Sequence, residues 1–141
     1  KLERLKELGA DVLVNYAEQP EFHRFIKGHT HGAGVDVVVN FTGGDTWVKS
    51  LKCVKLGGRL LTCGATAGYD PQTDIRYIWR KEMDIRGSDG WQRQDLIDLL
   101  EAVRSGQINP VIDRVLPLEE TAEGHRLLED REVFGKVIIV P

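Results

Sequence analysis

Cysteine is scarce in this sequence. Only Cys53 and Cys63 occur in 141 residues, and no CxxC spacing surrounds either. That excludes a disulfide framework and a cysteine-based metal site, and a reducing cytoplasm is the expected compartment. No apolar run approaches the roughly 20 residues that a membrane-spanning helix needs, and no leader pattern is visible, so no membrane partner is expected. Basic residues are not in excess: 19 Lys and Arg stand against 22 Asp and Glu, for a net charge of −3. The signs are interspersed and form no basic face, so nucleic acid is not an expected partner. Internal repeats, low-complexity tracts and disordered linkers are absent as well. What remains is ordinary globular material, 41% hydrophobic and 29% charged, with the length of one domain. Helical spacing begins at once from Lys1, and a domain that opens inside an element is expected to be a piece of a larger protein.

The chain is organised around residues 57–68, GGRLLTCGATAG. The apolar run 59–63 turns abruptly into the small residues Gly64, Ala65, Thr66, Ala67 and Gly68. An apolar run between glycines reads as a buried parallel strand. Small residues just past its end let a ligand approach the backbone. The same grammar recurs at residues 35–41, VDVVVNF, followed by Thr42, Gly43 and Gly44. Ligands of open α/β sheets bind outside the carboxyl ends of the strands. Two strands ending this way therefore predict the two walls of one crevice. The alternative is that both are tight turns into the next helices.

Residues 1–8 place Leu2, Leu5 and Leu8 on one helical face, with Gly9 as the cap. Residues 12–14 read as a short strand leading to Asn15 and Tyr16. Residues 21–27 form a second helix with Phe22, Phe25 and Ile26 on one side, closed by Gly28. His29 and His31 fall in the loop 29–34 without a third ligand nearby, which favours a solvated loop over a metal site. The glycines of that loop precede a strand, whereas a dinucleotide motif follows one. Asp45 or Thr46 caps a helix over 47–56, with Val48, Leu51 and Val54 inward, and Gly57 and Gly58 end it. Strand 60–63 follows. The alternation with short connections means a parallel sheet with helical crossovers. Beyond it lie a turn-rich loop at 69–73, a short helix within 75–81 and a strand at 83–87. A helix at 92–104 comes next, then a half-exposed strand at 111–116, a helix at 121–128 and a final buried strand at 136–140.

In their order and spacing, these motifs resemble the C-terminal part of the medium-chain dehydrogenases/reductases, the family of zinc alcohol dehydrogenases and quinone oxidoreductases. The resemblance covers the whole chain. It is carried by LKELGAD and VNY within residues 5–16, GVDVVVNFTGG at 34–44 and LGGRLLTCGATAG at 56–68. LPLEETAEGHRLLE at 116–129 and FGKVIIV at 134–140 complete it. The fold it implies is α/β: an incomplete doubly wound, Rossmann-type parallel sheet holding the last four strands of six (12–14, 35–41, 60–63 and 83–87). Residues 1–88 would be the C-terminal part of the dinucleotide-binding domain. Residues 89–141 would be the returning segment that completes the catalytic domain. The glycine-rich pyrophosphate loop and any zinc ligands would lie upstream of Lys1, so this chain alone is expected to be inactive.

The resemblance also implies an activity: hydride transfer between NAD or NADP and a small alcohol, aldehyde, ketone or quinone. Zinc is possible in the whole enzyme, with no ligands in this chain. Lys1 and Tyr16 match positions beside the adenosine ribose or its 2′-phosphate. Phe41, Thr42 and Gly43 match the loop beside the adenine and its ribose. Cys63, Gly64 and Ala65 match the backbone at the nicotinamide ribose and carboxamide. Gly87 and Ser88 match the neighbouring strand end, and Gly135 and Lys136 the approach to the pyrophosphate. Catalytic and metal residues are not implied here. Asp45-Thr46-Trp47 looks more like the quinone-oxidoreductase side, and residues 116–129 look closer to zinc-type alcohol dehydrogenases. An alcohol-dehydrogenase-like oxidoreductase is the leading reading, with a zinc-free quinone oxidoreductase or enoyl reductase as its alternative. From another class, a truncated nucleotide-binding or dimerisation module without catalysis also stands. A homo-oligomer, dimer or tetramer, is implied through residues 74–88.

Overall fold

The computed structural model describes all 141 residues. They form two compact units: one spans Leu2–Gly90, and the other joins Lys1 to Trp91–Pro141.

The first unit opens with α1 (Leu2–Glu7). Gly9, at φ +99°, ends it. There the Gly9 amide donates to Lys6 O, and the Ala10 amide donates back to Leu5 O, the paired bonds of a left-handed helix cap. Residues 12–14, expected as a strand, form none. A strand exists only by pairing its backbone with a neighbour, and the sheet of this unit offers residues 12–14 no partner. The sheet therefore has three strands instead of the expected four.

Those strands are β1 (Val35–Asn40), β2 (Val54–Thr62) and β3 (Asp84–Gly87), in the order β1-β2-β3 with every pair parallel. Helix α2 (Phe22–His29) precedes β1. It runs through Gly28, expected to close it, because a glycine inside a helix costs only about 1 kcal/mol. Helices α3 (Asp45–Cys53) and α4 (Arg76–Arg80) are the crossovers, as parallel pairing requires. Val38, Leu60 and Ile85 lie in register across the three strands. They share one face with the buried core of Leu51, Val54, Leu60 and Met83. Burying such side chains contributes about 1.5–3 kcal/mol each. The other face is open. Val37 and Val39 are 49% and 56% exposed, so β1 is covered on one side only, not buried on both as its apolar run suggested.

The α3–β2 junction also differs from the sequence expectation. The apolar pattern carried the helix to residue 56, but it ends at Cys53 and the strand starts at Val54. Lys81 is the cause. Its Nζ donates to the carbonyls of Leu51 (2.9 Å), Lys52 (3.0 Å) and Val54 (2.6 Å), taking acceptors the helix end leaves free. Its own carbonyl accepts from the Gly57 amide at 2.7 Å. The strand then bulges: Val35 pairs with Val54, but Val37 pairs with Arg59.

In the second unit, α5 (Arg93–Arg104) starts with the Gln92 amide donating to the Asp95 carboxylate at 2.7 Å. Strands β4 (Ile112–Pro117) and β5 (Lys136–Val140) pair in parallel, joined by a 3₁₀ turn (Leu118–Glu120) and α6 (Thr121–Glu129). Gly124 of α6 is buried against the pair, where a Cβ would make ordinary contact at 3.4–3.6 Å with Ile139, Val137 and Leu116. β5, expected to be buried, alternates between half-buried and exposed positions because α6 covers one face.

Replacing Lys81 with Met removes three charge-assisted bonds while keeping the aliphatic stem. The variant should lose about 2 kcal/mol of stability in a urea titration. An unchanged midpoint would show that the carbonyls are satisfied without it.

Candidate functional site

The site is built where β1 and β2 end. Asn40, the last residue of β1, is 4% exposed, and its carboxamide is fully used. Nδ2 donates to Thr46 Oγ1 (3.0 Å) and Ser50 Oγ (2.9 Å) on α3. Oδ1 accepts from the Thr42 amide (3.0 Å) and the Gly43 amide (2.8 Å). The Thr46 hydroxyl donates to Gly43 O at 2.7 Å. One side chain thus turns the chain out of the strand and ties the turn to the next helix.

The turn is joined to the loop after β2. The Ala67 amide donates to Thr42 O (2.7 Å) and the Gly44 amide to Gly68 O (3.0 Å). Gly43 and Gly44 have φ of +68° and +48°. A Cβ on Gly43 would lie 2.6 Å from Gly68 O, and one on Gly44 2.5 Å from Ala67 O. Gly64 is equally hemmed in, since its Cβ would lie 2.9 Å from Phe41 O. These glycines therefore permit backbone to meet backbone. The two loops are laced together, and the space for a ligand lies to either side of the joint.

Both sides are clefts of the first unit. One, of about 290 Å³, is lined by Tyr16, Phe41 and Thr42 together with Phe22 and Ile26 of α2 and Val39 of β1. The other, of about 320 Å³, is lined by Gly43, Gly64 and Ala65 with Trp47, Tyr69 and Asp70. Trp47 Nε1 donates to Thr73 Oγ1 at 2.9 Å, which pins its far wall. Cys63 lies just past β2, its amide donating to Asn40 O at 3.4 Å. Ser88 extends β3 by donating to Thr62 O at 2.9 Å. Gly87 differs from the other glycines here, because a Cβ on it would meet nothing within 4 Å.

The remaining candidates belong to the second unit. Lys1 Nζ donates to Arg131 O at 2.7 Å. Gly135, at φ +111°, is required by the strand pair: its Cβ would lie 2.3 Å from Val111 O. Lys136 opens β5, its amide donating to Val111 O at 2.8 Å. The structure therefore assembles Tyr16, Phe41, Thr42, Gly43, Gly64 and Ala65 around one joint, with Cys63, Gly87 and Ser88 at the adjoining strand ends.

Sequence reasoning missed Asn40 and His23. The signal for Asn40 was a polar residue closing an apolar run, with hydroxyl residues one helical turn apart downstream. His23 gives no such signal. It is 8% exposed, its Nδ1 has no hydrogen-bond partner, and Nε2 lies 3.7 Å from Glu21. Burial holds its pKa below the ordinary 6.5, helped by Lys52 of α3 and by Arg24 and Lys27 of its own helix, against the opposing Glu21. Lys49 of α3 also reaches Glu21, at 3.9 Å. His29 stacks on Phe25 within α2. No group of three or more His, Cys, Asp or Glu side chains is placed to hold a metal ion, so these residues do not fit a zinc ion. No helix is long and apolar enough to cross a membrane.

Comparison with known proteins agrees with this architecture. Residues 8–139 match the family described as zinc-binding dehydrogenase. A 2-haloacrylate reductase from Burkholderia sp is 31% identical, over 100% of this chain and 45% of its own length. A crystal structure titled as an NAD-dependent alcohol dehydrogenase is 40% identical with a TM-score of 0.88, over 100% of this chain and 41% of its own. A 2-octenoyl-CoA carboxylase reductase, solved with NADP and 2-octenoyl-CoA, is 27% identical with a TM-score of 0.84, over 96% and 34%. The chain thus spans less than half the length of each.

The buried His23 makes α2 a point of acid weakness. Its folded pKa lies below the unfolded value, so the unfolded chain binds the extra proton more readily. The stability it contributes is complete above about pH 6.5 and is lost as pH falls through the window below it. His23→Gln should flatten the melting-temperature profile between about pH 7.5 and about pH 5.5. Parallel profiles would mean that His23 is not the titrating group.

Proposed function

Because the chain belongs to the zinc-binding dehydrogenase family, we propose that it works as part of a longer NAD(P)-dependent oxidoreductase moving hydride between the cofactor and an alcohol or carbonyl compound. The observation that carries this reading is the laced joint at the ends of β1 and β2 with a cleft on each side. A dinucleotide has two ring-bearing halves, and open α/β sheets bind ligands at their carboxyl edge. In this reading, the apolar cleft with Tyr16 and Phe41 takes the adenosine half, and Thr42 at its rim faces the ribose. The small-residue cleft beside Gly64 and Ala65, with Cys63, Gly87 and Ser88 near it, takes the nicotinamide half.

These residues fit the group chemically. Aromatic and aliphatic walls suit a purine face, and the open space above Gly87 admits a ring that a Cβ would crowd. The hydride chemistry would come from the nicotinamide when bound. This chain's residues bind and orient. Gly43 and Gly44 hold the joint closed, Trp47 and Thr73 fix the wall of the nicotinamide-side cleft, and Phe41 flanks the purine. Lys1, Gly135 and Lys136 belong to the second unit and form no part of these two clefts.

A second reading is reduction of an activated carbon–carbon double bond. It is favoured by the relatives named as a 2-haloacrylate reductase and a 2-octenoyl-CoA carboxylase reductase. Assays of the enzyme with an alcohol/ketone pair and with an acrylate or enoyl thioester separate the two.

The glycines provide the binding test. Gly64→Val drives a branched side chain into Phe41 O and should lower the melting temperature sharply. At Gly87 a Cβ has no protein atom within 4 Å, so Gly87→Val should keep the melting temperature and weaken NADH or NADPH binding about ten-fold or more. Wild-type affinity in Gly87→Val would remove the end of β3 from the site.

Assembly through residues 74–88 is proposed on two features. The outer edge of β3 is unpaired, and Ile75 and Trp79 are 65% and 61% exposed. A two-fold partner covers such an edge simply. Ile78 is unsuitable for the test because it packs on the unit's own core. Ile75→Asp with Trp79→Lys should shift the oligomer toward monomer in analytical ultracentrifugation, and an oligomer that survives both changes would refute the interface.

A further inference from the structure

Asn40 sits where the two clefts meet. Thr42 lines the 290 Å³ cleft and Gly43 lines the 320 Å³ cleft, and both amides donate to the same carboxamide oxygen. One carboxamide oxygen thus joins the amides that border the two clefts. The other end of the carboxamide holds Thr46 and Ser50, which also line the first cleft. The Thr46 hydroxyl returns to Gly43 O and closes the ring of bonds. An amide side chain has two N–H donors and two acceptor positions, and all are spent on this wall. β1 ends at Asn40, so no sheet ladder continues beyond it to hold the wall by other means. Lacing to residues 67 and 68 fixes the wall against the loop after β2, and the Trp47 amide donates to Gly44 O at 3.1 Å; Asn40 and the Thr46 hydroxyl supply the side-chain ties between the wall and α3.

We propose that Asn40 is the positioning residue that sets the spacing between the two half-sites, and so sets how much more tightly a dinucleotide binds than its separate halves. The inference rests on the dinucleotide reading above. A ligand that fills both clefts gains from the second contact only while the distance between them is held. Loosening the wall lowers that gain, while the first cleft keeps Tyr16, Phe22, Ile26, Val39 and Phe41 beside Asn40, and the second keeps Trp47, Tyr69 and Asp70. The carboxamide's hydrogen bonds go to none of Tyr16, Phe22, Ile26, Val39, Tyr69 and Asp70.

The test uses the whole enzyme and three probes: NADH, adenosine monophosphate and reduced nicotinamide mononucleotide, each titrated by calorimetry. In wild type, NADH should bind far more tightly than either half. In Asn40→Ala, that advantage should fall about ten-fold or more while each mononucleotide stays within about two-fold of wild type. Asn40→Asp restores an acceptor for the Thr42 and Gly43 amides and should recover part of the advantage. It also keeps the test open should the alanine variant fail to fold. An undiminished advantage in Asn40→Ala, or in both variants an equal weakening of all three probes in step with a lower melting temperature, would overturn the positioning role alone. Wild-type enzyme that binds NADH no better than adenosine monophosphate would overturn the dinucleotide reading, and this inference with it.

Discussion

The structure depends on a close approach between two pieces of backbone. Where β1 and β2 end, the turn at Thr42–Gly44 and the loop through Ala67 and Gly68 come near enough for carbonyl and amide to bond directly. The cost of admitting even a methyl group is visible in the distances: 2.6 Å at Gly43, 2.5 Å at Gly44 and 2.9 Å at Gly64. Each is shorter than the contacts that Cβ atoms make in folded proteins. From this joint follow the direction in which the chain enters α3, the orientation of Asn40, and the partition of the surface into two clefts.

The parallel arrangement was legible because it follows from periodicity. Apolar runs alternating with helical stripes leave few topologies open, and α3, α5 and α6 begin or end within a few residues of where their stripes predict. What was not legible depended on residues distant in sequence. Lys81 ends α3 from across the core, and no local pattern around Val54 announces it. Residues 12–14 have a strand's composition, but a strand is a pairing and not a composition. β1 has the apolar run of a fully covered strand and is covered on one face.

The candidate site was partly legible for the same reason. Small residues after two strands located the joint, and Tyr16, Phe41 and Thr42 do gather around one cleft. The physical role of the glycines differed from the one read in the sequence. Gly43, Gly44 and Gly64 serve the protein's own backbone, and Gly87 alone among the strand-end candidates faces open space. A sequence shows that a position lacks a side chain; it cannot show which neighbour required the lack. Buried polar groups are harder still. Asn40 is satisfied four times over, whereas His23 is buried with one ring nitrogen unmatched, and neither outcome shows in the letters around them.

Every rung of both sheets joins residues separated by a helix, because each strand pair is parallel. Neither unit contains a hairpin, so no ladder can start from a tight turn and zip outward. The chain must form its crossover helices, or hold their ends together loosely, before the first rung closes. Loop-closure entropy is then spent ahead of any sheet contact, which places this topology among slower folders. During that delay Val37 and Val39, half exposed even in the finished fold, stand bare in a flat row. The interval before the ladder closes is thus when this protein is most exposed to self-association, and its yield on refolding should depend on concentration more than on final stability.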